Sequence, residues 1–144
     1  RSVIVFIGLN TLCYMRVWIT DDDTIFHFIV ERFAQSLPQV NELRFFTNGQ
    51  AMVDTLADCQ TGPDVVLLDL NMPVMNGFEV MEHLDQQPEL ADRVGRLYVI
   101  SSSMLPEERD RSLGYPFVED FYPKPLFVHH FAEIVLGEKA TDNP

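Results

Sequence analysis

A run of four apolar residues that ends in a carboxylate, Val65-Val66-Leu67-Leu68-Asp69, constrains this chain more than any other stretch. Two of the four are β-branched and none is polar, the pattern of a strand covered on both faces at the centre of a parallel sheet. Burying the Asp69 charge within such a sheet would cost several kcal/mol. The carboxylate therefore belongs where the strand stops, at the carboxyl edge on which open α/β sheets place their ligands. Thr61-Gly62-Pro63 precedes the run and Asn71-Met72-Pro73 follows it, so turn signals close it on both sides.

The rest of the chain repeats the motif of strand and helix. Arg16 to Thr20 reads as a first strand running into Asp21-Asp22-Asp23. Ile25, Phe26, Ile29, Val30, Phe33 and Leu37 recur at helical spacing up to Pro38. Leu43 to Thr47 is a second strand, and Ala51, Met52, Leu56 and Ala57 give a short helix before the Asp69 strand. The turn Asn76-Gly77 precedes a third helix on Phe78, Met81 and Leu84, which Pro88 ends; Leu97 to Ile100 is a fourth strand. Pro106 with Glu107 and Glu108 starts a polar, weakly anchored helix, its acids placed where the macrodipole favours them. Phe117 to Tyr122 is a fifth strand, and Phe127, Phe131, Ile134 and Val135 mark a last helix that stops at Gly137. Strands alternating with helices imply right-handed crossovers, and hence a doubly wound α/β fold with helices on both faces of a parallel sheet.

One domain is expected over residues 15–137, with a polar tail at 138–144 and an N-terminal extension at 1–14 whose origin is open. Within the extension, Val3 to Ile7 fits an extra strand, upstream or vector sequence, or a marginal leader, and it is too short to span a bilayer. Cys13 and Cys59 show no metal spacing and read as small hydrophobic residues rather than a disulfide, which fits a reducing cytoplasm. The formal charge of −12 opposes nucleic acid and anionic membranes, whose phosphates need Lys and Arg to neutralise them. His27, His83, His129 and His130 are expected at the surface; the last two are adjacent and point about 100° apart on a helix, so they share an ion poorly.

Chemistry collects at one edge of the sheet. Asp21 and Asp22 follow the first strand, Asp69 the third, Ser101 the fourth and Lys124 the fifth. Two like charges about 4 Å apart repel by roughly 4 kcal/mol at an effective dielectric near 20, so the acids need a cation or raised pKa values. Lys124 alone cannot balance them. A few carboxylates that leave coordination positions open for water and phosphate oxygens suit Mg2+, and Asp69 could then serve as a nucleophile toward a phosphoryl group.

These residues resemble those of a response-regulator receiver domain of the stand-alone, chemotaxis type. The resemblance runs from about Met15 to Gly137 and is carried by Asp21-Asp22-Asp23, the stretch Leu68 to Gly77, Ile100-Ser101-Ser102 and Lys124-Pro125. It implies a flavodoxin-like five-stranded sheet of order 2-1-3-4-5, Asp69 as phosphoacceptor, and Mg2+ held by Asp22 and the backbone carbonyl of Asn71, with Asp21 assisting. It further implies Ser101 as switch hydroxyl, Ser102 beside the phosphate, Phe121 as switch aromatic, Lys124 as the phosphate-binding lysine, and often a cis Lys124-Pro125 bond. The partners implied are a sensor histidine kinase or phosphotransfer protein and an unnamed downstream protein. The chain is expected to be a monomer or weak dimer and not an enzyme in its own right, apart from assisting its own phosphorylation and dephosphorylation.

Three features depart from the common family pattern. Ser101 stands where Thr is usual, Pro123 removes a backbone donor before Lys124, and Asp23 leaves the metal pair open between Asp21-Asp22 and Asp22-Asp23. A flavodoxin would share the fold, but three acids in the first loop would repel its phosphate. An Asp-nucleophile phosphatase needs a general acid, commonly two residues on, where this chain has Asn71.

Overall fold

The computed structural model describes residues 2–6 and 14–138. In chain order the elements are β1 (Ser2–Phe6), β2 (Met15–Thr20), α1 (Thr24–Gln35), β3 (Val40–Phe46), α2 (Gly49–Asp58), β4 (Val65–Leu68), α3 (Gly77–Gln86), α4 (Pro88–Ala91), β5 (Arg96–Ser101), α5 (Pro106–Leu113), β6 (Val118–Pro123) and α6 (Val128–Leu136). They build one sheet of order β1-β3-β2-β4-β5-β6. All pairings are parallel except β1 with β3. The five strands other than β1 reproduce the expected doubly wound order.

The sixth strand is the difference. Ser2–Phe6 lies antiparallel along β3, with Val3 opposite Phe45 and Ile4 opposite Arg44, so this part of the N-terminal extension is a strand at the sheet's edge. Cys13 and residues 139–144, which include most of the expected polar tail, lie outside the described residues. Cys59 is a free thiol.

Strand alternation divides the interior into two layers. Trp18, Val66, Leu68, Val99 and Phe121 face one side and pack on Met52 and Leu56 of α2 and on Val80, Met81 and Leu84 of α3. Val17, Ile19, Val65, Leu67 and Ile100 face the other and pack on Phe26, Val30 and Ala34 of α1 and on Phe131 and Ile134 of α6. All four residues of β4 are buried, as a strand covered on both faces must be. Each large apolar side chain so buried contributes about 1.5 to 3 kcal/mol.

Three local expectations need correction. The buried stripe of α1 is Phe26, Val30 and Ala34, whereas Ile25 and Ile29 are exposed. Apolar residues surround this helix, so periodicity alone left the choice of face ambiguous. Pro88 does more than end α3: it is also the first residue of the four-residue helix α4, where its missing N–H costs nothing. His27 is buried, not at the surface, and stacks on Phe45 with ring centroids 4.9 Å apart. Of α5 only Ser112 is buried, in line with its polar sequence.

Candidate functional site

The hydrogen-bond ladder of the sheet runs one residue past its strands and thereby fixes the site. The Asp69 amide donates to the Thr20 carbonyl at 2.9 Å, the Asp21 amide to Phe46 at 3.0 Å, and the Lys124 amide to Ser101 at 2.8 Å. Thr20 and Leu68 are register partners, so the next residues, Asp21 and Asp69, emerge side by side at the carboxyl edge.

Asp69 is 6% exposed and Asp21 1%. Carboxylate oxygens of Asp21, Asp22 and Asp69 lie within 4.8 Å of one another. Lys124 reaches in from the far strand: its Nζ is 2.6 Å from Asp21 Oδ2, 3.9 Å from Asp69 Oδ2 and 4.8 Å from the centre of the Phe26 ring. The lysine thus pairs tightly with Asp21 and only loosely with Asp69. Burial pushes the Asp69 carboxyl up to about 7, and the Asp21 charge adds to the rise. Lys124 and the backbone N–H groups of Leu70 and Asn71 oppose it without cancelling it. Three acids beside one lysine, which pairs with only two of them, carry excess negative charge in a partly buried pocket, and hard oxygen donors are the right set for Mg2+.

Asp23 has other work. Its carboxylate accepts the Ile25 amide at 2.9 Å as the N-cap of α1, and its own amide donates to Asp21 Oδ1 at 2.9 Å. The acid group therefore contains Asp21 and Asp22 and leaves Asp23 to the helix.

On the other side of Asp69, Ser101 is fully buried at the end of β5, and its Oγ accepts the Ser103 amide at 3.0 Å. Ser102 is exposed, as is Asn71. Phe121 is 7% exposed and packs in the core behind β5, with the Arg109 guanidinium 6.0 Å from its ring centre. The Lys124-Pro125 bond is cis.

Two supports escaped the sequence reading. Gly77 lies so close to the strand end that a Cβ there would stand 2.3 Å from the Asp69 carbonyl oxygen and 2.8 Å from Leu70 Cα. The Asn-Gly pair was visible as a turn signal and as the end of the resembling stretch; it is also a capping box, Asn76 accepting the Glu79 amide and Glu79 accepting the Asn76 amide. His27 hydrogen-bonds the Asp21 backbone, and burial lowers its pKa, which keeps the ring neutral beneath the loop. Ahead of Gly77, Val74 and Met75 both have positive φ, at 47° and 70°, and their carbonyls accept the Gln50 and Gly49 amides at the start of α2.

An open, mostly parallel sheet with an acid cluster and a lysine at its carboxyl edge defines an α/β domain whose ligand chemistry is that of charged oxygens. The pattern of the response regulator receiver domain matches residues 17–126, and the chain belongs to that family of two-component signalling domains. Among solved structures, a response regulator receiver protein from Dyadobacter fermentans is 33% identical with a TM-score of 0.70, covering 83% of this chain and 93% of that one. A two-component response regulator from Cytophaga hutchinsonii is 26% identical with a TM-score of 0.74, covering 85% and 97%. Among curated proteins, the nitrate/nitrite response regulator NarL of Escherichia coli is 31% identical over 87% of this chain and 59% of its own length. A protein-glutamate methylesterase/protein-glutamine glutaminase of Desulfotalea psychrophila is 33% identical over 52% of this chain but 20% of its own. The chain thus spans only part of these curated relatives. No helix among the described residues is long and apolar enough to cross a membrane.

Proposed function

We propose that Asp69 is the phosphoacceptor of a two-component phosphorelay and that its phosphorylation switches a protein-interaction surface. The observation that carries this reading is the buried Asp69 carboxylate, beside Asp21 and Asp22 and within 3.9 Å of Lys124, at the strand ends of a receiver fold. Asp21, Asp22, Asp69 and the Asn71 backbone carbonyl would hold Mg2+, which offsets negative charge on the transferred phosphoryl oxygens. An Asp69 carboxylate oxygen attacks phosphorus and an aspartyl phosphate forms. The bond to the donor breaks, from a histidine nitrogen of a kinase or phosphotransfer protein or from the acyl oxygen of a small donor, and the donor leaves with the electron pair. Lys124 exchanges part of its pairing with Asp21 for a phosphate oxygen, and Ser101 and Ser102 donate to the others. The chain supplies the acceptor and assists transfer; it is not otherwise an enzyme, and it works in the cytoplasm. It acts as a monomer or weak dimer within residues 15–137, on a downstream protein and without binding nucleic acid itself, in keeping with its charge of −12.

The test is intact mass after incubation with Mg2+ and a small acyl phosphate. Wild type should gain one phosphoryl group, and Asp69→Asn, or chelation of the metal, should remove the gain. Asp22→Ala should abolish uptake, whereas Asp23→Ala should spare it and cost about 1 kcal/mol of stability through the lost helix cap. Uptake that survives Asp69→Asn refutes the acceptor; loss with Asp23→Ala but not Asp21→Ala moves the metal pair by one residue.

Reading the phosphate requires two packings of the same elements. Phosphate draws Ser101 Oγ off the Ser103 amide, the loop after β5 moves inward, and Phe121 takes up the space. Helix α5, with one buried residue, is the surface that follows. A nearly complete switch from a resting ratio near 1:99 needs roughly 5.5 kcal/mol of preference for the active packing. Ser101→Ala should therefore leave phosphoryl uptake intact while cutting the phosphorylation-dependent gain in partner affinity about tenfold. Full retention of that gain in both Ser101→Ala and Phe121→Ala rules out this route.

A further inference from the structure

Helix α5 is seated on the domain by its margin rather than by its inner face. Ser112 is its one buried residue, and the Ser112 hydroxyl turns back onto the Glu108 carbonyl of the same helix at 2.8 Å. Glu108 Oε2 is buried and accepts no hydrogen bond among the described residues. Leu105, the N-cap, supplies no side-chain bond to the first turn. A helix with so little apolar anchorage takes its position from whatever reaches across to its neighbours.

Two contacts reach across to α3. The Arg111 guanidinium lies 4.1 Å from the centre of the Phe78 ring, a close cation–π contact, and the Tyr115 hydroxyl donates to Glu82 at 2.9 Å. Burial and the Glu82 acceptor push the Tyr115 hydroxyl up, so it stays protonated and remains a donor. Tyr115 is itself stacked on Phe117 with centroids 5.5 Å apart, which steadies the ring that carries the hydroxyl.

The α3 end of these contacts is rooted at the strand end that carries Asp69. Phe78 follows Gly77, whose amide donates to the Leu70 carbonyl at 2.9 Å and which has no room for a Cβ against the Asp69 carbonyl. On α5 itself, Arg109 lies 6.0 Å from the centre of the Phe121 ring. Two arginines thus connect one helix to the backbone beside Asp69 and to the aromatic behind β5. Each contact is small, since an exposed cation–π pair or hydrogen bond shifts an equilibrium about two- to fivefold. Together they suffice to bias a helix that the core does not hold.

We propose that the Arg111–Phe78 contact and the Tyr115–Glu82 hydrogen bond form a latch that holds α5 in its resting position and thereby sets the fraction of unphosphorylated chain in the active packing. The inference rests on the phosphoacceptor reading and names how that site is regulated. Whatever favours the resting packing weakens the binding of a phosphoryl mimic by the same factor, because the two equilibria are linked. Beryllofluoride is therefore titrated into the full chain with saturating Mg2+, and its affinity and the amide shifts of Ser101 to Leu105 are followed by NMR. Arg111→Gln combined with Tyr115→Phe should bind it about fivefold tighter than wild type, and each single variant about twofold tighter. The shifts of the free double variant should already lie part of the way towards the bound positions. In wild type, the Arg111 Nε–H resonance, shielded by the Phe78 ring, should move downfield on binding as the contact opens. Unchanged or weaker affinity in the double variant, even with a lowered Tm, would show the contacts to be structural only and overturn the latch. Failure of wild type to bind beryllofluoride, or binding that survives Asp69→Asn, would overturn the phosphoacceptor reading and the latch with it.

Discussion

Replacing Asp69 with Asn should make the metal-free protein more stable at pH 8, by about 2 to 4 kcal/mol or a Tm increase of roughly 5 to 12 °C for a chain of this size. The carboxyl titrates near 3.8 when solvated and at about 7 in the fold. Between those values the folded chain binds more protons than the unfolded one, so wild-type stability falls as pH rises and the full cost is reached above about 7. The complete difference corresponds to roughly 4 kcal/mol, and the amide, which cannot ionise, escapes it. The advantage of the variant should therefore be small near pH 4, grow through pH 7 and then level off. Mg2+ should shrink it from the other direction by stabilising wild type through binding to the folded state alone. Urea denaturation of both proteins from pH 4 to 8, with chelator and with Mg2+, measures all of this. A gap that stays constant with pH would mean that Asp69 is not strained by its burial.

Gly77→Ala should be strongly damaging at the carboxyl end of β4. The added Cβ would meet the Asp69 carbonyl oxygen at 2.3 Å and the Asp69 carbonyl carbon at 3.0 Å, and neither backbone atom can swing aside. Relief requires the first turn of α3 to withdraw from the end of β4, breaking the Gly77 amide bond to the Leu70 carbonyl. We expect a loss of roughly 3 kcal/mol in stability and weaker Mg2+ binding, because the displaced backbone carries the Asp69 carboxylate. Gly114→Ala is the control: its Cβ would come no closer than 3.3 Å to anything, at a negative φ, so its effect should stay within about 1 kcal/mol of zero. Equal stabilities for the two variants would show that the strand end can move.

The contrast between those glycines indicates what could be read without coordinates. Strand-end acids, hydroxyl and lysine were legible because a buried strand announces itself by four apolar residues, and the polar residue after it can only lie at an edge. The inner sheet order was legible from the family resemblance to which those residues point. The face of α1 was not, since Ile25, Phe28 and Ile29 are as apolar as the residues it buries and the choice is made by β3 and α6. Nor was the edge strand, for an uncharged run such as Val3-Ile4-Val5 suits a strand or a leader equally until a partner with a free edge is known. Gly77 acts by its close approach to Asp69 and Leu70, and His27 by its contacts with the Asp21 backbone and Phe45, which neither helical nor strand spacing encodes.

The left-handed pair Val74-Met75 joins the loop beyond Asp69 to the first turn of α2 through two amides that no helix would otherwise satisfy. Gly49 and Gln50 consequently have their solvent protection set by the loop beyond Asp69 rather than by their own helix. Their hydrogen-exchange rates form a backbone reporter of that loop's opening, separate from β5 and Phe121. Slowed exchange at these two amides on phosphorylation would register the loop closing before any partner is present.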